Sequence, residues 1–226
     1  MDTNKLEKLI RYEFKNKDLL KEALTHRSYI NENLDWSFSN NERLEFLGDA
    51  VLELIVTEIL FQKYPNFDEG QLTTFRAALV NYQMLAEVSK EFKLENFLLL
   101  SHGETKDVGR ARDVILANAF EALVGAIHLD SGYNQAKKFI DGFVMPHLKE
   151  VIEKELYKDA KSLLQENTQA ALKLTPIYKV LEEVGPDHKK LFTVGVYFGD
   201  KLIAVGQGFS KQDAEVEAAK KALQAL

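Results

Sequence analysis

Through residues 1–158 the apolar positions recur at intervals of three and four, the spacing that turns one face of an α-helix toward a core. This pattern predicts helices over 16–26, 41–63, 69–92, 113–130 and 134–154. It breaks at Pro65-Asn66, over the polar stretch 101–112, and at Ser131-Gly132. After about residue 155 the period changes. A short helix over 159–172 is followed by three strand-like runs at 176–185, 191–199 and 201–209. In the second run Phe192, Val194, Val196 and Phe198 alternate with Leu191, Thr193, Gly195 and Tyr197, and Gly199-Asp200 reads as a two-residue hairpin. A last helix opens at Ser210, with Asp213 placed for a capping box, and carries Ala218, Ala219, Ala222, Leu223 and Leu226 on one stripe. The pattern therefore predicts an all-α domain over 1–153, a linker at 154–158, and a small α-β-β-β-α domain over 159–226.

The 226 residues contain no cysteine, which excludes disulfides and thiolate chemistry. The N-terminus lacks an apolar signal core, and no run reaches the roughly 20 apolar residues that span a bilayer. The expectation is a cytoplasmic protein with no membrane partner. The net charge of −6 is unevenly spread: residues 159–226 hold nine Lys and nine acidic residues, so 1–158 carry the whole excess.

That excess is partly ordered. On a helical wheel of about 100° per residue, Glu42, Glu45, Asp49 and Glu53 share a narrow sector, opposite Leu44, Leu47, Val51, Leu54 and Ile55. Like charges at i,i+4 repel by a few tenths of a kcal/mol per pair. An acidic solvent face is the plain explanation for such a stripe. The helix over 114–127 strengthens a second one. It is apolar all round except for Asn118 and Glu121, which share a face at i,i+3. A buried Glu needs a partner or a proton. An ion pair with Arg76 or Arg112 would satisfy it, and so would a cation shared with Glu45 and Asp49. The candidate ligands are all oxygens, which suits Mg²⁺ or Mn²⁺ rather than zinc or copper. A di-iron bundle needs Glu-x-x-His pairs, and no histidine here has a Glu three residues before it. Carboxylate sites for hard cations serve phosphoryl chemistry.

The stretch NERLEFLGDAVL (41–52) resembles the signature motif of the ribonuclease III family. ALTHRSY (23–29), EGQLTTFRAALV (69–80) and ANAFEALVGAIHLDSGY (117–133) stand in that family's order and spacing. LLQENTQ, GPDHKKLF and GFSKQDAEVEAAKKAL resemble its C-terminal double-stranded-RNA-binding domain. The resemblance covers nearly the whole chain and implies an all-α endonuclease domain followed by a small α+β RNA-binding domain. It further implies a homodimer that cuts RNA duplexes to 5′-phosphate and 3′-hydroxyl ends in rRNA and mRNA processing, with Mg²⁺ as cofactor and Mn²⁺ able to substitute. Carried over by position, Glu45, Asp49, Asn118 and Glu121 are metal-site residues, with Asp49 and Glu121 catalytic, and Glu42 and Glu69 are accessory acidic positions. Gln165, Glu166, His188, Lys189, Lys190 and Lys211 are RNA-binding positions. For His26 and Ser28 an RNA contact and simple helix-end capping stand side by side. Two departures matter: Asn118 stands where the family usually has Asp, and Gln212 where a second Lys often follows. The first keeps open an alternative, a catalytically impaired duplex-RNA-binding protein of the same fold.

Overall fold

The computed structural model describes residues 3–106, 108–153, 160–186 and 190–224, and the chain divides into two compact units, Met1–Tyr157 and Lys158–Leu226. The predicted linker, 154–158, lies outside the described residues.

The first unit is helical: α1 (Thr3–Ile10), α2 (Lys17–Ala23), α3 (Arg27–Glu32), α4 (Glu42–Lys63), α5 (Glu69–Val80), α6 (Tyr82–Glu91), α7 (Arg110–Ser131), α8 (Tyr133–Phe143) and α9 (Leu148–Glu153), with single 3₁₀ turns at Leu94–Asn96, Glu104–Lys106 and Met145–His147. Two long predicted helices are divided. The run over 69–92 breaks at Asn81, whose side chain accepts the Met84 amide at 2.9 Å and caps a fresh helix. The run over 134–154 breaks at the turn holding Pro146, which has no N–H to continue the ladder. The amphipathic segment at 3–10, which the spacing analysis leaves without an element, is helix α1, with Leu6 and Ile10 in the core.

Helix α7 runs through the middle. Ten consecutive or near-consecutive residues from Leu116 to Ile127 are buried, as its all-round apolar surface requires. By length and mean hydropathy alone it could cross a membrane, but 61% of its most apolar stretch is buried inside the structure. Phe92, Phe120, Phe139 and Phe143 pack together beside it with ring centroids 5.0–6.3 Å apart.

The second unit comprises α10 (Ala160–Leu172), β1 (Ile177–Val184), β2 (Leu191–Phe198), β3 (Lys201–Gly208) and α11 (Lys211–Gln224). The strands form one antiparallel sheet in the order β1-β2-β3, and Gly199 takes φ +60° in the hairpin between the last two. Of the alternating set, Val194, Val196 and Phe198 are buried and Phe192 is half-buried; Val196 and Phe198 make the second core with Leu164 and the alanines of α11. Ser210 accepts the Asp213 amide at 3.0 Å, completing one arm of the predicted cap.

Candidate active site and nucleic-acid interface

The acidic helix α4 begins where Asn41 is buried and its amide is tied to the Thr25 carbonyl at 2.9 Å. Glu42 and Glu45 occupy its first turn, where the positive end of the helix dipole favours them. Glu42 is exposed, accepts from Asn40 at 3.1 Å and lies 3.5 Å from Arg27. Glu45 is half-buried, whereas Asp49 and Glu53 are exposed.

What sets this helix against α7 is a pair of glycines. A methyl group on Gly48 would collide with the Glu121 carbonyl and stand 2.9 Å from the Gly125 nitrogen. A methyl group on Gly125 would collide with the Leu44 carbonyl and stand 3.1 Å from the Gly48 nitrogen. The two backbones therefore touch, and the carboxylates flanking Gly48 come beside the polar positions of α7. Sequence reasoning passed over both glycines; the available signal was a glycine inside each of two strong helical patterns.

The electrostatics follow from that crossing. Burial, reinforced by Asp49, Glu45 and Glu53, pushes the Glu121 carboxyl up to about 8. Partial burial, then Glu42 and Asp49, raise Glu45. The structure thus brings Glu45, Asp49, Glu53 and Glu121 into one electrostatic group, with Glu42 acting on it through Glu45. Asn118 is half-buried on α7, one turn before Glu121. The ion-pair alternative fails: Arg76 donates to Thr57 Oγ1 at 3.1 Å and Arg112 to the Glu95 carbonyl at 3.3 Å. Among the described residues no ion pair involves Glu45, Asp49, Glu53 or Glu121.

Among the described residues, no three acidic or imidazole side chains converge tightly enough to chelate an ion as they stand. The donor set nevertheless fits a hard divalent cation: oxygen ligands only, partly buried, and crowded enough that one carboxyl retains a proton near neutrality. Glu69 is not among the charges acting on Glu121. It opens α5, is exposed, and lines a cavity of about 480 Å³ with Thr57, Phe61, Phe67, Thr73 and Arg76.

Other predicted positions resolve as follows. His26 caps α3: its Nδ1 accepts the Ser28 amide at 3.3 Å and lies 2.8 Å from Ser28 Oγ, which accepts the Ser101 amide at 3.1 Å. These contacts favour helix-end capping. In the second unit Gln165 and Glu166 are exposed on α10, and Lys211 is exposed at the first position of α11. His188 and Lys189 lie outside the described residues. The acidic residues after Lys211 are engaged within the fold: Glu215 with Lys161 at 2.6 Å, and Glu217 with Lys221 at 2.9 Å. Sequence reasoning also missed Glu183 on β1, whose carboxylate meets Lys211 at 3.1 Å and Lys190 at 3.6 Å.

Comparison with known proteins agrees with both units. A family model described as ribonuclease-III-like matches residues 16–148, and a double-stranded RNA binding motif matches 160–226. The chain is 47% identical over 214 residues to ribonuclease 3 of Borreliella burgdorferi, covering 95% of this chain and 87% of that one. It is 47% identical over 223 residues to ribonuclease 3 of Campylobacter fetus, covering 99% and 97%. A solved nuclease domain of ribonuclease III from Campylobacter jejuni, described as having a flexible region involved in dimer formation, superposes with a TM-score of 0.58. It is 43% identical and covers 64% of this chain and 97% of that one.

Proposed function

The chain belongs to the ribonuclease III family of endoribonucleases and carries a double-stranded-RNA-binding domain, and from that premise we propose that it is a divalent-metal-dependent enzyme that cuts both strands of an RNA duplex. The observation that carries the metal reading is the α4–α7 backbone contact at Gly48 and Gly125, which gathers Glu45, Asp49 and Glu53 about the half-buried Glu121; burial and those three carboxylates push the Glu121 carboxyl up to about 8.

Glu45, Asp49, Asn118 and Glu121 would hold Mg²⁺, with Mn²⁺ able to replace it. When bound, the cation neutralises charge at the scissile phosphate and activates water for attack. The protein's part is to hold the four oxygen donors on two helices whose backbones are fixed by the Gly48–Gly125 contact. Asp49 and Glu121 would be the catalytic carboxylates, with Glu42 and Glu69 as accessory acidic positions. Attack at phosphorus with departure of the 3′ oxygen leaves 5′-phosphate and 3′-hydroxyl ends. Asn118 supplies an amide oxygen without charge, which weakens metal binding and leaves the donor count intact.

A homodimer is supported by the other exposed line on α4. Phe46 is 82% exposed, Leu54 59% and Phe61 71%. Leu54, which the wheel places opposite the acidic stripe, belongs to this apolar line. A second copy of the chain covering it would bring two acidic faces together, one for each RNA strand. The biological role that fits is processing of structured rRNA and mRNA in the cytoplasm.

The test is cleavage of an end-labelled RNA duplex beside its single strands. The reading expects duplex cleavage only with Mg²⁺ or Mn²⁺ and products that accept a ligase at their 5′-phosphates. Binding without cleavage at any metal concentration would favour the impaired RNA-binding alternative.

A further inference from the structure

Glu183, on β1, makes two separate contacts with positions expected to meet RNA. Its Oε1 lies 3.1 Å from Lys211 Nζ and its Oε2 lies 3.6 Å from Lys190 Nζ. Lys211 also lies over the Phe192 ring at 5.6 Å and opens α11, whose N-terminal amides add a further preference for anions. Lys211, and then Lys190, hold the Glu183 carboxyl below the usual carboxylate range, so it is ionised at neutral pH. One carboxylate therefore bridges two ammonium groups, an oxygen to each. The two non-bridging oxygens of a phosphodiester could take the same arrangement.

We propose that Glu183 occupies, in the free protein, the place an RNA phosphate takes between Lys190 and Lys211, and so limits how tightly the second unit holds duplex RNA. The inference rests on the reading of that unit as a duplex-RNA binder. Ion pairs this exposed are weak individually, so a phosphate can displace the carboxylate. The displaced charge stays nearby and reduces the local field from two positive charges to one. In a unit whose Lys and acidic residues balance at nine each, that single charge is a large share of what the RNA meets. The arrangement acts as a governor: an enzyme that must leave one duplex for the next is served by modest affinity.

The experiment uses the full chain in EDTA, so that nothing is cut, and measures the affinity for a labelled RNA duplex between about 50 and 200 mM salt. Glu183→Gln should bind about three- to tenfold more tightly at the low end. Its salt dependence should steepen by up to about one released ion, a change that a loss of structure would not produce. Glu182→Gln removes the same charge one residue away, on a side chain that points to the other face of the strand. It should change affinity less than about twofold, because that charge lies outside the lysine pair and is screened. Adding Lys211→Gln to Glu183→Gln should cancel most of the gain. Should Glu183→Gln lose its fold by circular dichroism, Glu183→Thr serves instead, as threonine suits a strand. Unchanged or weaker binding by the folded variant overturns the proposal, as does an equal gain from Glu182→Gln. A wild-type chain that fails to bind duplex at low salt overturns the RNA-binding reading itself, and this inference with it.

Discussion

Glu121 concentrates the physics of the site in one side chain. Burial, then Asp49, Glu45 and Glu53, push its carboxyl up to about 8, against 4.5 for an ordinary glutamate. Between those values the folded state keeps a proton that the unfolded chain has lost. Stability is therefore complete below the lower value and falls as pH rises through the window. Glu45 is raised as well and acts in the same direction. In EDTA the thermal midpoint should drop by several degrees between about pH 5 and pH 8, since about 1 kcal/mol moves a chain of this size by 2–4 °C. Glu121→Gln should flatten that slope, and Mg²⁺ at pH 8 should restore the wild-type midpoint. Equal slopes for the two proteins would mean that Glu121 is not the titrating group. Asn118 sits one turn away and gives a second test. Asp at 118 would add a negative charge that repels its neighbours without metal and attracts the cation with it. At an effective dielectric of about 20 even a fraction of that attraction is worth severalfold in affinity. Asn118→Asp should lower the Mg²⁺ concentration for half-maximal cleavage. An unchanged or right-shifted curve would show that residue 118 does not face the ion.

The helix crossing is what brings separate carboxylates into one electrostatic group. Gly48→Ala would drive a methyl group into the Glu121 backbone and force α4 and α7 apart. Overpacking of this kind costs about 1–3 kcal/mol and more where backbone must move. The urea midpoint should fall accordingly, and cleavage should fall further than stability alone explains, because the donors separate. An unaltered midpoint would show that the helices can part without strain. The two helices themselves were legible: the acidic stripe of α4 and the all-round apolar surface of α7 follow from periodicity. Their crossing was not, because it depends on two glycines 77 positions apart that meet only in three dimensions. Periodicity also ran through Asn81 and Pro146, where a side-chain cap and a missing N–H end helices without disturbing the apolar spacing. Leu54 shows a related limit: the wheel sorts polar from apolar, and cannot separate a core face from an exposed apolar one.

Across the whole molecule the proposed chemistry and the proposed RNA affinity fall in different units. The change of period near residue 155 made the two units legible, and the alternation in β2 made the inward face of the sheet legible. The pairing of Glu183 with Lys190 and Lys211 was not, since it joins a strand, a loop end and a helix start. A fragment of residues 1–158 should fold and dimerise, as gel filtration with light scattering would show. It should cleave duplex weakly, and only at low salt, where phosphate contacts count most. A folded fragment inert at every salt concentration would contradict the division of labour. The central claim is that the acidic face shared by α4 and α7 holds a divalent cation that makes duplex cleavage possible. Its most direct test is the cleavage rate of a saturating RNA duplex against Mg²⁺ concentration, for the wild type and Glu121→Gln, with duplex affinity measured alongside in EDTA. The wild-type rate should be negligible without metal and rise to a plateau. The variant should be slower by at least about a hundredfold, since replacing even a residue that only supports a metal ligand costs 10–100-fold, with duplex affinity within about twofold of the wild type. Cleavage by the wild type in EDTA, or by Glu121→Gln at close to the wild-type rate, would contradict the central claim.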